Sequence, residues 1–288
     1  MTAPTLFLIH GMWGGAWCWS PFRERLEAAG FRCVAPTLPY HDADPRAAPD
    51  PRLGGVGLQD YAGALTAQID ALDEPPVLVG HSMGGLLAQM LAARGLARAL
   101  VLLAPAAPAG ILAVSPSVAL AFWSIQTTWG FWHKPVRQTF AEASHSLLHL
   151  LPEPERRPVY DRFVHESGRA VFEVGYWMFD ATQASRVDAS RVTCPVLVIA
   201  GAEDRMVPAW AMRQVARKYA AVSVYREFEH HAHWLLGEPG WQHVADEVLT
   251  WLTAQGLSPR THLASPGLQQ GARATKIRRT LTASTPPR

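Results

Sequence analysis

The sequence predicts an α/β fold in which a mostly parallel sheet is flanked by helices and carries a helical lid insertion. Short runs of consecutive apolar residues alternate with longer segments of helical periodicity, which is typical of strands buried on both faces and joined by helices. This alternation is interrupted once, between about residues 106 and 193. We therefore expect one domain over residues 1–254, which includes the lid, and a tail at residues 255–288.

The first half of the chain supplies most of the predicted sheet. Residues 6–9 form a continuous apolar run, and the next helix has Ser20 as its expected N-cap, Pro21 as its first residue and Gly30 as its end. The other elements expected here are a strand at 31–35, a helix at 58–72, a strand at 77–79, a helix at 84–93 and a strand at 99–103.

The alternation resumes after the insertion. The elements expected there are a strand at 196–200, a helix at 209–219, a strand at 222–226 and a helix at 241–252. Because each strand is followed by a helix long enough for a crossover connection, neighbouring strands are expected to run parallel.

Composition and charge place the chain among ordinary globular proteins. Hydrophobic residues make up 49% and charged residues 17% of the sequence, which is enough apolar material for a large core. Six basic residues and no acidic ones fall in residues 255–288, so residues 1–254 carry a net charge of −4. We expect no nucleic-acid partner for the folded part, and we expect the basic tail to be disordered.

Cysteine usage and the absence of targeting patterns favour a cytoplasmic protein. Cys18, Cys33 and Cys194 are odd in number and irregularly spaced, which is typical of reduced thiols. The apolar run at residues 6–9 is too short for a signal peptide. Residues 111–125 are interrupted by polar residues and fall short of the ~20 residues that a membrane span needs. The sequence makes no prediction of the oligomeric state.

The segment from Gly80 to Gly84, Gly-His-Ser-Met-Gly, lies between a predicted strand and a predicted helix. This order is typical of a nucleophile elbow, in which a serine sits on a sharp turn and glycines flank it because a Cβ would clash. Ser82 is therefore the candidate nucleophile. The amide of Met83, at the helix N-terminus, would favour a developing negative charge.

A serine needs a base, and the base needs a carboxylate to orient it. Three histidines, His230, His231 and His233, lie in the loop after the last predicted strand. Asp204 follows the preceding strand, where it is expected at the same edge of the sheet. An aspartate there could equally be a helix N-cap or a surface charge if no elbow were present.

Together these motifs resemble the α/β-hydrolase fold family. The resemblance rests on the elbow, on Gly201-x-x-Asp204 after a late strand, on a late histidine, and on their order Ser…Asp…His. The first strand also runs into residues 10–15, His-Gly-Met-Trp-Gly-Gly, which are similar to the family's oxyanion loop. The resemblance covers about residues 4–254 and implies the fold and a serine-hydrolase site.

The resemblance also selects among the histidines. In the family, the catalytic histidine follows a small residue and precedes a glutamate by five positions, which matches His233 with Ala232 and Glu238. The family usually has glycine where Ala232 stands. His231 is kept as an alternative because it lies so close.

By the same resemblance, the oxyanion hole would be the backbone amides of Met12 and Met83. Residues 10–19 look like the subgroup that contains small-molecule esterases and hydroxynitrile lyases. The substrate pocket is expected to be apolar. The residues proposed for it are Trp13, Phe122, Trp123, Trp129, Trp177 and Trp234.

We therefore expect a cofactor-free serine hydrolase that cleaves carboxylic esters of small to medium apolar substrates through an acyl-enzyme. No metal site is expected, because His230, His231 and His233 are too close in sequence to face one ion. The glycine-rich segments lack nucleotide-binding spacing.

Other activities remain open on the same three residues. A hydroxynitrile lyase would need a cation over the pocket, and Lys134 is the only lysine of the insertion. C–C bond hydrolase and perhydrolase or haloperoxidase activity would use the same residues. A receptor that binds a small ligand without catalysis is the alternative from another class.

Overall fold

A computed structural model describes residues 4–259. Its strands are β1 (Thr5–Ile9), β2 (Arg32–Val34), β3 (Val77–His81), β4 (Ala99–Leu103), β5 (Pro135–Val136), β6 (Glu166–Ser167), β7 (Val196–Gly201) and β8 (Ser223–Phe228). Its α-helices are α1 (Ser20–Ala28), α2 (Leu58–Ile69), α3 (Met83–Ala92), α4 (Pro116–Ala121), α5 (Trp123–Gln126), α6 (Phe140–Ser146), α7 (Glu153–Tyr160), α8 (Gly168–Gly175), α9 (Ala209–Lys218) and α10 (Trp241–Ala254).

Six strands form the central sheet in the order β2-β1-β3-β4-β7-β8, and each neighbouring pair is parallel. Every side chain of β3, β4 and β7 is buried, because helices and loops cover both faces of the sheet. The predicted α/β fold with a mostly parallel sheet is confirmed. The chain adds β2 on one side of β1 and then places β3 and the later strands of the sheet on the other side. A crevice forms at the carboxyl ends of the strands where the strand order changes in this way.

The start of α1 differs from its prediction. A 3-10 turn at Ala16–Trp19 leads directly into the helix, so Ser20 is already helical and is not the N-cap. Its hydroxyl instead donates to the carbonyl of Trp17. Gly30 follows the helix with a φ of +91°, which supports its predicted role as the end of the helix.

The insertion between β4 and β7 contains α4 to α8 and a short antiparallel pair, β5 with β6. A cluster of buried polar side chains connects it to the core. The Glu166 carboxylate in β6 accepts a hydrogen bond of 2.6 Å from the Tyr61 hydroxyl and lies 3.1 Å from His41 Nε2. Burial would lower the pKa of His41, but the adjacent Glu166 carboxylate outweighs it and raises the pKa.

Cys18, Cys33 and Cys194 are free thiols, as predicted. Within residues 4–259, no helix has both the length and the apolar character needed to cross a bilayer. Most of the predicted basic tail, residues 260–288, lies outside the described residues.

Candidate active site

Ser82 occupies a sharp turn between β3 and α3. Its φ of +53° and ψ of −122° are uncommon for a residue with a Cβ, so the surrounding packing must hold the turn. A Cβ on Gly80 would collide with the carbonyl of Gly84, and a Cβ on Gly84 with the carbonyl of Ile9. These glycines let β1, β3 and α3 approach closely and leave the Ser82 hydroxyl beyond the end of the strand.

His233 lies between Ser82 and Asp204. Its Nε2 is 2.9 Å from Ser82 Oγ, and its Nδ1 is 2.7 Å from Asp204 Oδ2. An ionised carboxylate can only accept, so Nδ1 carries the proton and the lone pair of Nε2 faces the serine hydroxyl. The amides of Met206 and Val207 donate to the other carboxylate oxygen at 2.7 and 2.8 Å, which fixes its orientation.

Two backbone amides lie beside Ser82 with their N–H groups free. Met83 is the first residue of α3, so its N–H has no partner within the helix. The N–H of Met12 donates no hydrogen bond within residues 4–259. A Cβ on Gly11 would be 2.8 Å from Ser82 Cβ, so only glycine allows this backbone to pass the serine so closely. Two free N–H groups at this point suit a developing oxyanion.

Two further buried histidines support this backbone. His10 Nε2 accepts from the amide of Leu38 at 3.0 Å, so His10 Nδ1 carries the proton and donates to the Gly11 carbonyl at 2.8 Å. His81 Nε2 donates to the carbonyl of His233 at 2.8 Å. Burial, together with a neighbouring histidine in each case, lowers the pKa of both rings to about 3. Both rings are therefore neutral near physiological pH.

The other two histidines of the loop lie elsewhere. His231 Nδ1 is 2.9 Å from Glu238 Oε1, which also accepts from the amide of Ala232 at 2.8 Å. His231, the alternative base, thus contributes to the structure of the loop instead of facing Ser82. The His230 side chain is exposed. Among the side chains of residues 4–259, no three His, Cys, Asp or Glu residues are grouped so as to hold a metal ion.

A cavity of about 270 Å³ opens beside Ser82 and Met12. The insertion and the loops after β4 and β7 form its walls. Phe122 and Trp177, both predicted to line the pocket, do so. Much of the remaining lining is aliphatic and includes Ile111, Leu112, Val118, Ile125, Val171 and Met206.

The other four aromatic residues of the predicted pocket do not line this cavity, which corrects the prediction. Trp13 is buried behind Phe122, at a ring separation of 5.7 Å, and Trp234 packs away from the cavity against His81 and other aromatic rings. Trp123 and Trp129 are exposed on the surface of the insertion. A tryptophan in a loop or a short helix can point either way, and residue type alone does not determine the direction.

Comparison with known proteins identifies the family. Residues 6–243 match the family model described as "Alpha/beta hydrolase family". The chain belongs to the alpha/beta hydrolase family. The resemblance inferred from the motifs is thus confirmed over most of the chain.

Curated relatives of this alpha/beta hydrolase match over a shorter stretch. Norfluorocurarine synthase 2 from Strychnos sp is 38% identical over 81 residues, which are 27% of this chain and 29% of that protein. Methylesterase 7 from Arabidopsis thaliana is 34% identical over 88 residues, 30% of this chain and 32% of that protein. The matched segment therefore spans less than a third of either relative.

A solved structure matches over nearly the whole fold. The methylesterase MES16 from Arabidopsis superimposes with a TM-score of 0.66 at 16% identity, and the match covers 87% of this chain and 99% of that one. At this level of identity the likeness shows the fold alone.

Helical spacing in the sequence of this alpha/beta hydrolase indicates part of the cavity wall. The prediction missed it because it selected residues by their size and aromatic character. Val118, Phe122 and Ile125 are spaced by four and three residues, the spacing of one helical face, and all three line the cavity. Trp123 falls off that face and is exposed. Helical periodicity would therefore have indicated that Phe122 lines the cavity and that Trp123 does not.

Proposed function

We propose that this alpha/beta hydrolase is a serine hydrolase that cleaves carboxylic esters of small to medium apolar substrates. The observation that carries the proposal is the hydrogen-bonded chain Ser82–His233–Asp204 at the floor of an apolar cavity. The family and the methylesterases among its relatives support ester hydrolysis.

The first half of the proposed reaction forms an acyl-enzyme. His233 Nε2 takes the proton of Ser82 as Oγ attacks the ester carbonyl carbon, and Asp204 stabilises the resulting imidazolium. The amides of Met12 and Met83 donate to the oxyanion of the tetrahedral intermediate. When the intermediate collapses, the carbon–oxygen bond to the alcohol breaks and His233 gives its proton to the departing alcohol.

The second half releases the acid. Water occupies the position of the alcohol, and His233 Nε2 takes one of its protons as the oxygen attacks the acyl carbon. The bond to Ser82 Oγ then breaks and the serine regains its proton from His233. The overall change is ester plus water to acid plus alcohol, with the enzyme restored and no cofactor needed.

The lining of the cavity supports uncharged substrates. It contains no Asp, Glu, Lys or Arg side chain among the described residues. Its polar groups besides Ser82 are the indole N–H of Trp177 and the side chains of Gln126 and Tyr176, and the Tyr176 hydroxyl donates to Gln126 Oε1 at 3.2 Å. A charged acyl or alcohol group would lose its hydration there without a partner.

The cavity lining also favours hydrolysis over the hydroxynitrile lyase alternative. That reaction needs a cation over the pocket, and Lys134 was the candidate. Lys134 Nζ donates to the carbonyl of Trp129 at 2.8 Å on the exposed side of the insertion and is absent from the cavity lining. No cation is therefore available above Ser82 from this residue.

The test combines covalent labelling with turnover. The wild type and Ser82→Ala are incubated with a fluorophosphonate, and their intact masses are measured beside assays on p-nitrophenyl esters from acetate to dodecanoate. We expect a single adduct and chain-length-dependent hydrolysis for the wild type, and neither for Ser82→Ala. Labelling without ester turnover would indicate other chemistry on the same residues, and substantial turnover by Ser82→Ala would exclude Ser82 as the nucleophile.

A further inference from the structure

The Met12 amide, one of the two proposed oxyanion donors, belongs to a peptide unit that is fixed by hydrogen bonds on its carbonyl side. The Gly11 carbonyl accepts from His10 Nδ1 at 2.8 Å, and His10 Nε2 accepts from the amide of Leu38 at 3.0 Å. His10 and Leu38 are both buried. The direction of the Met12 N–H therefore depends on the position of the segment that contains Leu38.

Leu38 begins a tight turn that ends at His41. The amide of His41 donates to the Leu38 carbonyl at 3.0 Å, with Pro39 and Tyr40 between them. Tyr40 has a φ of +67°, a left-handed conformation that is unfavourable for a residue with a Cβ. Contacts around the turn must therefore stabilise it. The His41 side chain provides one of them, because its Nδ1 lies 3.0 Å from the Pro39 carbonyl.

The other ring nitrogen of His41 connects this turn to the insertion. His41 Nε2 lies 3.1 Å from Oε2 of Glu166 in β6, and both side chains are fully buried. The second oxygen of Glu166 accepts from the Tyr61 hydroxyl and the Ser167 amide, each at 2.6 Å. The His41 ring also packs against the ring of His10 at a centroid separation of 5.2 Å. Hydrogen bonds thus link the insertion to the oxyanion loop.

The contact between His41 and Glu166 is a hydrogen bond only while the pair holds a proton. The Pro39 carbonyl can only accept, so His41 Nδ1 carries one hydrogen, and an ionised Glu166 needs a second hydrogen on Nε2. Burial disfavours the charged ring, but the Glu166 carboxylate outweighs burial and raises the pKa of His41 above 6.5. Loss of either proton would leave two lone pairs facing each other, at Pro39 or at Glu166.

The other titratable groups around His41 do not take its place when it loses a proton. The pKa of His10 is about 3, and burial together with the Glu166 charge raises the pKa of Tyr61, so both side chains stay neutral. The negative charge of Asp42, next in the chain, favours the protonated ring. The groove on the outer side of the turn is lined by charges of both signs, from Asp44, Arg46, Asp161 and Arg162.

We infer that His41 is a positioning residue for the oxyanion hole: held by Glu166 of the insertion, it fixes the turn and the His10 ring that together set the direction of the Met12 N–H. This inference rests on the proposed esterase function. The insertion then controls one oxyanion donor in addition to the cavity wall. A displacement on the order of 1 Å at a catalytic group costs about 10²-fold in rate.

The first experiment removes the His41 side chain. We expect His41→Leu to lower kcat on a soluble ester by about 10²-fold with little change in KM, because the donor is needed in the transition state. The rate at which a fluorophosphonate labels Ser82 should fall by a similar factor, since its transition state also places negative charge in the oxyanion hole. His41→Gln retains an N–H that can donate to Glu166, and it should recover part of both losses.

The second experiment keeps the hydrogen bonds and removes their need for a proton. In Glu166→Gln the side-chain oxygen can still accept from Tyr61 and Ser167, while the NH₂ group donates to a neutral His41. Wild-type kcat and labelling rate should decline by up to about tenfold between about pH 7 and 10, as His41 loses its proton. We expect Glu166→Gln to lack this decline. His145→Gln, at an exposed histidine of the same insertion, is the control and should retain it.

Two results would overturn the inference. One is wild-type kcat and labelling in a His41→Leu variant that circular dichroism shows to be folded, which would make the pair an anchor of the insertion alone. The other is an alkaline decline that is missing from the wild type or that survives in Glu166→Gln, and this result decides the matter if His41→Leu does not fold. Failure of the esterase function looks different, because the wild type would then be labelled without hydrolysing esters, and the labelling rates would still test His41.

Discussion

Three buried histidines surround Ser82, and their hydrogen-bond partners give each a different role. The two ring nitrogens of His233 face Ser82 and Asp204, so in the proposed mechanism His233 is the ring that takes and returns a proton. His10 holds the Gly11 carbonyl, and the N–H of the same peptide unit is that of Met12. His81 holds the carbonyl of His233 itself. Two neutral rings thus hold the backbone in place, while in the proposed mechanism the third exchanges protons.

Asp204 and its neighbour Glu203 offer a matched test of the orienting carboxylate. Asp204→Asn should lower kcat by up to ~10⁴-fold, because the amide favours the histidine tautomer that no longer presents a lone pair to Ser82. Glu203→Gln should change kcat little, since Glu203 is half exposed and lies near the exposed His230. Steady-state kinetics on one soluble ester compares the two. The reverse ranking would assign the orienting role to Glu203.

His81 is expected to position His233. His81→Leu removes the donor to the His233 carbonyl, and a small displacement of the ring should lower kcat by up to ~10²-fold with little change in KM. His81→Gln retains an N–H donor and should recover part of the loss. The acidic limb of the pH–rate profile should stay in place in both variants, because His81 is neutral throughout that range. Wild-type kcat in His81→Leu would contradict this role.

At the scale of elements, the insertion is held to the core by buried polar groups as well as by apolar packing. Glu166 of β6 bonds to Tyr61 of α2 and to His41, and Glu173 of α8 accepts from the amide of Leu58 at 2.7 Å, at the start of α2. Bonds of this kind define orientation more sharply than apolar contacts, because a misplaced buried charge is costly. They fix one wall of the cavity relative to Ser82.

Glu166→Leu tests this connection. The substitution leaves the Tyr61 hydroxyl and His41 buried without their partner, and we expect the free energy of unfolding to fall by about 3–5 kcal/mol. Asp161→Ala, in the exposed Arg157–Asp161 pair of the same insertion, should lower it by less than about 1 kcal/mol. Urea unfolding measures both. Equal losses would mean that Glu166 does not anchor the insertion.

Across the whole molecule, the features that depend on local sequence pattern could be predicted. The direction in which a side chain points, and its contacts with distant parts of the chain, could not. The strands of the central sheet were predictable because buried parallel strands are continuous apolar runs, as in β4 and β7. The order of Ser82, Asp204 and His233, which follow β3, β7 and β8, indicated the candidate site. The buried partners of Glu166 could not be predicted, because Tyr61 and His41 lie more than 100 residues away in the chain.

The buried histidines also determine how the stability of the molecule responds to acid. Folding lowers the pKa of His10 and His81 from 6.5 to about 3. Between these pH values the unfolded chain binds a proton at each of the two rings, and the folded protein does not. Their contribution to stability is fully present above about pH 6.5 and is lost as the pH falls towards 3. His41 behaves oppositely, because its raised pKa gives stability that is lost as the pH rises through the folded value.

We therefore expect the free energy of unfolding to fall steeply between about pH 6 and 4, by up to ~2.7 kcal/mol per pH unit from these two groups. Urea unfolding at a series of pH values measures the slope. His10→Gln should remove the contribution of one of the two rings to this slope, because glutamine does not titrate. This expectation does not depend on the absolute stability of the variant. A wild-type stability that is flat across this range would mean that water or a structural change lets both rings ionise inside the folded protein.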